Sequence, residues 1–364
     1  MVRVLHLIPG LTGGGAERQL TMLAATQALR GHEIHIGVSR PELPDLLIGN
    51  ASVHVHQLPT NGNHNPLLFV AIRRLIKSTG ADIVQTWLTM MDVVGGAAAL
   101  SARRAWILSE RSEAAMYPAN WKNRLRAQLG KSANAIVANS ESGVDYWSHV
   151  GAARNRVVMV PNAVNVAEIT GSKQTVLPVE CAGRPVVLFV GRLTVEKMPF
   201  VMIDALAKVI ASSNAVALLC GSGPLEDDMR AAVRRHAAAD RIIFAGHRHD
   251  VFGLMREASV CVAISCIEGT SNVMLEAMAA GCPLVVSDIP GYRQLLDNTN
   301  AIIVPLNDVD ATTSAILMTL NDPTAAKRRA LQAKACVLEL SSGNTAAQLD
   351  VVYARVLGRE SMQG

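Results

Sequence analysis

The chain has 364 residues, half of them hydrophobic and 4% aromatic, with a formal net charge of +4. That length is long for one core and comfortable for two domains, and no apolar run approaches the ~20 residues that cross a bilayer. Residues 1 to 165 hold 16 Lys and Arg against 10 Asp and Glu, and the remainder holds 18 against 20; the basic first half suits an anionic surface or substrate, at a density too mild for nucleic acid.

Pro9 and the glycines after it break the opening segment before it can read as a signal peptide. The cysteines Cys181, Cys220, Cys261, Cys266, Cys282 and Cys336 form no C-x-x-C pair. They read as reduced core residues of a cytosolic protein, with neither a zinc site nor a disulfide framework.

Short apolar runs alternate with Ala-rich helical patterns throughout, the signature of parallel α/β architecture. A strand over 4–8 runs into Gly10, Gly13, Gly14 and Gly15, and a helix over 16–30 stops at Gly31. Glycines placed between a first strand and a first helix let backbone amides approach a phosphate or a sugar. Their spacing is not G-x-G-x-x-G, and no acidic residue ends the second strand, 33–38, so a nicotinamide cofactor fits poorly. A strand over 83–86 leads to Trp87 through Asp92 as a loop, with Asp92 expected to cap a helix beginning at Val93. A strand over 106–109 ends in Glu110, Arg111 and Ser112. The helical stretch 117–131 carries Trp121, Lys122, Arg124, Arg126 and Lys131. It reads either as a face for an anionic leaflet or lipid-linked diphosphate, or as a solvated helix with Leu125 and Leu129 in the core. Residues 166–184 lack any period and read as the linker between domains.

A strand over 185–190 opens a second parallel set and leads into G-R-L-T-V-E-K. Arg192 offers a planar fork and Lys197 a mobile point charge, a pair suited to linked phosphates, and Pro199 fits the first turn of the next helix. After the strand 215–220 come G-S-G-P and a helix whose first-turn Glu226, Asp227 and Asp228 complement the dipole without a metal. The strand 241–245 runs into Gly246, His247 and Arg248, with Asp250 expected as the next cap. Asp308 and Asp310 make a D-x-D before a helix, where capping accounts for them and no metal is assigned. The last helix, 345–357, lines up Leu349, Val352, Tyr353 and Val356 on one face.

The densest stretch is 264–291, ISCIEGTSNVMLEAMAAGCPLVVSDIPG. A loop leads into a helix capped by Ser271 or Asn272 and stopped by Gly281 and Pro283. Amides of Gly269, Thr270, Ser271 and Asn272, with the positive helix end behind them, suit a diphosphate. Glu268 stands in front of that anion, where hydroxyls can donate to it, and Glu276 can accept two hydrogen bonds from the vicinal diol of a ribose.

The order E-G-T-S-N-V-x-L-E-A-M-A-x-G-x-P resembles the nucleotide-sugar site of the retaining glycosyltransferases of family 4. G-G-G-A-E-R near the start and G-R-L-T-V-E-K are similar to that family's first loops. The resemblance implies an α/β, GT-B fold: two Rossmann-like domains facing each other across a central cleft. It places an acceptor-side domain at 1–168, a nucleotide-sugar-binding domain at 169–342, and a terminal helix, 343–364, returning to the first domain. Gly14 and Gly15 would border the donor, and Gly246, His247 and Arg248 would neighbour its base. Glu268, Arg192 and Lys197 would form the catalytic group. Implied with these are a UDP-sugar as co-substrate, no further cofactor, no metal, and a glycan or lipid-linked acceptor. The location would be cytoplasmic, with peripheral contact at the inner membrane face. Three positions depart from the pattern. Relatives carry a His where this chain reads W-L-T-M-M-D, a Gly and an Asp where it has Ala163 and Asn165, and a Gly where it has Met198. A GT-B hydrolase or epimerase, or a non-catalytic nucleotide-sugar-binding protein, is the alternative reading.

Overall fold

Parallel strands covered on both faces are buried along their length, and β1 (Arg3–Ile8) is buried from Val4 to Ile8 with His6 the single polar residue in that run. The computed structural model describes residues 1–11, 14–40, 52–59, 66–112, 117–173, 175–236 and 239–359. Gly13 lies outside them. The chain divides into two units; the first runs to Ala163 and resumes at Ser342, and the second is Val164–Ser341.

In the first unit β1 is followed by α1 (Gly15–Leu29), β2 (Glu33–Val38), β3 (Val53–Gln57) and α2 (Pro66–Thr79). Then come β4 (Ile83–Trp87), α3 (Leu88–Ser101), β5 (Ala105–Glu110), α4 (Trp121–Gly130), β6 (Ala135–Ala138), α5 (Glu141–Val150) and β7 (Val157–Met159). The sheet order is β3-β2-β1-β4-β5-β6-β7, parallel throughout.

The second unit opens with α6 (Val166–Thr170), capped by the Asn165 side chain, so the front of the expected linker is ordered within this unit with Ile169 buried. It continues with β8 (Val186–Val190), α7 (Pro199–Ser212), β9 (Val216–Cys220), α8 (Glu226–Val233), β10 (Ile242–Gly246), α9 (Val251–Glu257) and β11 (Val260–Ala263). Next are α10 (Asn272–Ala280), β12 (Leu284–Ser287), α11 (Pro290–Arg293), β13 (Ile302–Val304), α12 (Val309–Asn321) and α13 (Pro323–Val337). The order β10-β9-β8-β11-β12-β13 is again all parallel. In each sheet the strand order reverses beside the first strand, at β1/β4 and at β8/β11. Loops leaving the C-terminal strand ends there part in opposite directions, the usual ligand position in open α/β sheets.

The final helix, α14 (Ser342–Val356), packs in the first unit with Leu349, Val352 and Tyr353 buried. A one-way chain of hydrogen bonds fastens it. Trp87 Nε1 donates to His6 Nδ1 at 3.2 Å, and His6 Nε2 to Gln27 Oε1 at 3.1 Å. Gln27 Nε2 donates to the Tyr353 oxygen at 2.8 Å, and Tyr353 to Gln85 Oε1 at 2.6 Å. Gln85 Nε2 ends the chain on Ser109 Oγ at 2.9 Å. Each member of this buried chain has a partner, which removes the penalty of burying it.

Three readings of the first unit need correcting. β4 passes directly into α3 without a loop, and Leu88 takes a left-handed φ of 69° to allow it. Asp92 therefore caps nothing: it lies inside α3, fully buried, accepting from Thr86 Oγ1 at 2.7 Å and from Arg126 Nε at 2.7 Å. In α4, Arg126 is 1% exposed and Leu125 39%, the reverse of the expected faces. Arg126 Nη2 also reaches Glu110 at 2.9 Å, and Trp147 Nε1 donates to the same carboxylate at 2.9 Å. The pull on Arg126 is charge, which overrides the apolar preference of that face. Of the cysteines, Cys266 and Cys336 are exposed rather than core residues.

Two buried groups of this unit respond to acid in opposite senses. Burial, helped by the Arg111 charge and resisted by the Gln27 bond, lowers the His6 pKa to about 4 from 6.5. Its neutral form is the one that accepts from Trp87, so its share of stability is intact above pH 6.5 and is lost as pH falls toward 4. Burial, resisted by Arg126, raises the Asp92 pKa to about 6 from 3.8. Asp92 accordingly adds stability as pH falls from 6 to 3.8. Each effect is worth roughly 3 kcal/mol, so they offset. Asp92→Asn removes one of them: urea titrations at pH 7 and pH 4 should show the deficit relative to wild type growing by roughly 2–3 kcal/mol in acid. A constant or shrinking deficit would count against these ionisations.

Candidate active site

The second unit gathers its polar loops at the C-terminal edge of the sheet through backbone bonds. Gly191 N donates to Cys220 O at 2.9 Å, Leu193 N to Ser222 O at 3.0 Å, and Gly221 N to Gly246 O at 2.7 Å. Gly221 adopts φ 145°, and a Cβ there would meet the Gly191 carbonyl oxygen at 1.8 Å, so G-S-G-P is a close backbone contact supporting the Arg192 loop. Across the β8/β11 switch point Cys266 N donates to Glu196 O at 2.9 Å, joining the Arg192–Lys197 loop to the Glu268 loop.

Lys197 and Glu268 meet there. The ammonium donates to Glu268 Oε1, with both side chains about one-sixth exposed. Ser265 Oγ donates to the same oxygen at 3.2 Å, and the buried Tyr292 hydroxyl donates to Ser265 Oγ at 3.2 Å. Burial, then the nearby Glu268 charge, raises the Tyr292 pKa, so it remains a neutral donor. Ser265 N in turn donates to Ser287 Oγ at 2.9 Å. The first turn of α11 closes on this loop, because a Cβ on Gly291 would sit 2.1 Å from the Glu268 carbonyl oxygen and 2.4 Å from that of Gly269. Ser265, Ser287, Gly291 and Tyr292 are supports that the sequence reading passed over. The P-G-Y after a strand end was their one visible signal.

Ser271 is the N-cap of α10, accepting from Met274 N at 3.5 Å, and Gly281 ends the helix in a left-handed conformation. Thr270 and Ser271 are buried, and Gly269 and Asn272 are half-buried beside them. Glu276 is 6% exposed one turn further on. Arg192 stands apart from the Lys197–Glu268 pair: its side chain is 67% exposed and faces Glu196 at 3.3 Å. Glu196 has a lowered pKa; burial acts against this and is outweighed by its own backbone N–H, Thr194, Arg192 and Lys197.

At the end of β10, His247 is exposed and packs edge-on against His249, while Gly246 has φ 65°. Arg248 forms a two-pronged pair with Asp250 at 2.8 and 2.6 Å. Asp250 occupies the N-cap position of α9, but its carboxylate serves Arg248 and makes no capping bond, a correction to the expected role. Arg248 and Asp250 also line a cavity of about 450 Å³ with Lys173, Thr175 and Phe252. Asp308 does cap α12, accepting from Ala311 N at 2.8 Å, and Asp310 pairs with Lys208 at 2.6 Å. Gly14 and Gly15 belong to the first unit, where Gly14 is the extended N-cap of α1 and Glu17 folds back onto it.

Met198 has φ 45° and ψ 50° as the N-cap of α7. A left-handed non-glycine costs about 1–2 kcal/mol. Met198 is 7% exposed in the core of the unit, and burial of a side chain that size returns roughly 1.5–3 kcal/mol.

Two all-parallel Rossmann-like units are the architecture of the GT-B fold, and comparison with known proteins supplies the family. Residues 13–168 match the family described as Glycosyltransferase Family 4, and residues 184–322 match Glycosyl transferases group 1. The chain belongs to the family-4, group 1 glycosyltransferases. It is 24% identical over 349 residues to a Campylobacter jejuni GalNAc-alpha-(1->4)-GalNAc-alpha-(1->3)-diNAcBac-PP-undecaprenol alpha-1,4-N-acetyl-D-galactosaminyltransferase, covering 92% of this chain and 93% of that one. An Escherichia coli UDP-Gal:alpha-D-GlcNAc-diphosphoundecaprenol alpha-1,3-galactosyltransferase is 27% identical over 179 residues, 46% of each chain. Among solved structures, Anabaena Alr3699/HepE in complex with UDP-glucose superposes with a TM-score of 0.84 at 19% identity, over 98% of this chain and 100% of that one.

Because Gly291 leaves no room for a methyl group, Gly291→Ala should push the Glu268–Gly269 backbone away. We expect a stability loss of about 1–3 kcal/mol in chemical denaturation and a fall of about tenfold or more in turnover, since Glu268 leaves its position. A variant with wild-type stability and activity would show that this contact does not hold the loop.

Proposed function

We propose that the protein transfers a sugar from a nucleoside-diphosphate sugar, with UDP-sugars first among the candidates, to a hydroxyl of a lipid-linked or glycan acceptor. The anomeric configuration is retained, and neither metal nor further cofactor takes part. The observation that carries this reading is the meeting of Lys197 and Glu268 at the switch point, beside the loop that starts α10. A donor diphosphate replaces Glu268 as the partner of Lys197 and recruits the exposed Arg192. The amides from Gly269 to Asn272 then face the same charge. Glu268, released, accepts from hydroxyls of the transferred sugar while Ser265 and Tyr292 hold it in place. Glu276 takes the ribose diol, and Gly246, His247 and Arg248 border the base.

In the transfer step the bond from the anomeric carbon to the β-phosphate oxygen breaks and a bond to the acceptor oxygen forms on the same face. The acceptor proton passes to the departing phosphate oxygen, so no separate protein base is required. Negative charge grows on the diphosphate as the sugar becomes cationic, and fixed positive groups lower the barrier most at that moment.

Thermal shift against a panel of nucleotide-sugars tests the donor. A ligand at 100 times its Kd adds about 2.7 kcal/mol. Lys197→Ala should weaken binding of the selected nucleotide by about tenfold or more, or ~1.4 kcal/mol, while EDTA leaves wild-type turnover unchanged. Unaltered nucleotide affinity in Lys197→Ala, or activity lost to EDTA and restored by Mg²⁺, would sink the scheme.

We also propose a peripheral contact with an anionic leaflet through α4. Trp121 (60% exposed), Arg124 and Leu125 share one exposed stripe of that helix, an apolar and basic combination suited to the interface. No helix among the described residues is long and apolar enough to cross a membrane. Anionic vesicles should sediment the wild type, and the double variant Trp121→Ala with Leu125→Ala should remain in the supernatant. Equal partitioning of the two proteins would rule out this face.

A further inference from the structure

At the C-terminal end of β5 adjacent residues point to opposite sides of the sheet. Glu110 turns its carboxylate into the buried network, accepting from Arg126, Trp147, Tyr117 and the Ser112 amide. Arg111 turns the other way. Its guanidinium lies over the Trp87 ring, 4.5 Å from the centroid, and Nη1 donates to Asn162 Oδ1 at 3.1 Å. Nε and Nη2 are shielded from solvent and have no hydrogen-bond partner among the described residues, although the residue as a whole keeps some exposure.

Those two nitrogens form one edge of the guanidinium, with their N–H bonds parallel. That edge matches two oxygens of a single oxyanion. Arg126 shows the same edge when satisfied: its Nε and Nη2 reach Asp92 and Glu110. Arg111 has no such pair. Its neighbour Glu110 is fully engaged elsewhere; His6 is committed at both nitrogens to Trp87 and Gln27, and the nearby Tyr353 hydroxyl to Gln27 and Gln85. A buried donor edge without a partner is costly in a folded protein and calls for an occupant. Trp87 and Asn162 fix the plane, so the edge is held rigid and ready. The strand ends of β1, β4 and β5 are neighbours in the sheet, on the side where open α/β sheets bind ligands.

We infer that Arg111, stacked on Trp87 and anchored by Asn162, is a bidentate binding site in the first unit for a phosphoryl oxyanion. It rests on the transferase reading in one respect, the choice of phosphoryl over carboxylate, because a glycosyltransferase handles diphosphates. The phosphoryl group has two sources, a phosphorylated acceptor or the donor nucleotide.

The test follows the Arg111 Nε–Hε resonance of the intact protein by NMR while inorganic pyrophosphate or UDP is added. Pyrophosphate should move the resonance saturably, and Arg111→Lys, which keeps the charge and loses the edge, should weaken pyrophosphate binding by about tenfold. A pyrophosphate response that persists at saturating UDP assigns the site to the acceptor's phosphate. A response to UDP itself, with pyrophosphate competing, assigns it to the donor. If neither ligand moves the resonance, the edge holds only buried water and the inference fails; this wild-type titration decides even if Arg111→Lys does not fold. The two readings fail separately. UDP binding that depends on Lys197 with a silent Arg111 removes this site alone, whereas a pyrophosphate response without UDP binding removes the donor reading and leaves the site.

Discussion

The contact between Lys197 and Glu268 is the point on which the second unit's polar edge depends. It joins the loop after β8 to the loop after β11, across the place where the strand order reverses. Opposite charges at that position hold the two loops together. Around the pair, backbone does most of the positioning. The Cys266–Glu196 bond, the Gly221–Gly191 approach and the Gly291–Glu268 approach bring main chain against main chain. Main-chain contacts have few rotamers to lose, so they place a flexible lysine and glutamate more firmly than side-chain packing would.

The first unit reaches order by another route. Its interior holds two polar systems, the chain from Trp87 to Ser109 and the cluster around Arg126. A buried polar group is tolerated only when its donors and acceptors are matched, and nearly every member here is matched. The chain of bonds through Tyr353 draws the last helix into this unit and fixes a single tautomer of His6. Arg126 solves a different problem. Two carboxylates, Asp92 and Glu110, share one guanidinium, leaving an excess of negative charge that burial pushes toward protonation at Asp92.

Against those satisfied systems Arg111 is conspicuous. Side chains one residue apart on a strand end, Glu110 and Arg111, look like a local ion pair in the sequence, yet sheet geometry sends them to opposite faces. The unit thus presents a rigid cation on the ligand side of its sheet, and saturates the neighbouring acid on the other side. Exposed α4 residues supply a second, softer positive feature in the same half of the chain, in keeping with its excess of Lys and Arg.

The sequence by itself determined the alternation of strands and helices, the two parallel sets, a helix ending at Ala280 with its cap at Ser271 or Asn272, and the family. These follow from local rules: apolar runs for buried strands, capping residues, and motifs contiguous in the chain. Edge strand β3, with a mixed His and Val pattern, gave no such signal. Tertiary structure alone decided which charges are partners. Asp92, Glu110 and Arg126 lie far apart in sequence, and Arg126 displaces Leu125 from the core because a buried carboxylate pair demands a cation. It likewise decided that Arg192 faces Glu196, that Asp250 serves Arg248, and that Gly291 supports Glu268. Partner choice among charges depends on distance and burial, and neither is written in the spacing of residues along a chain.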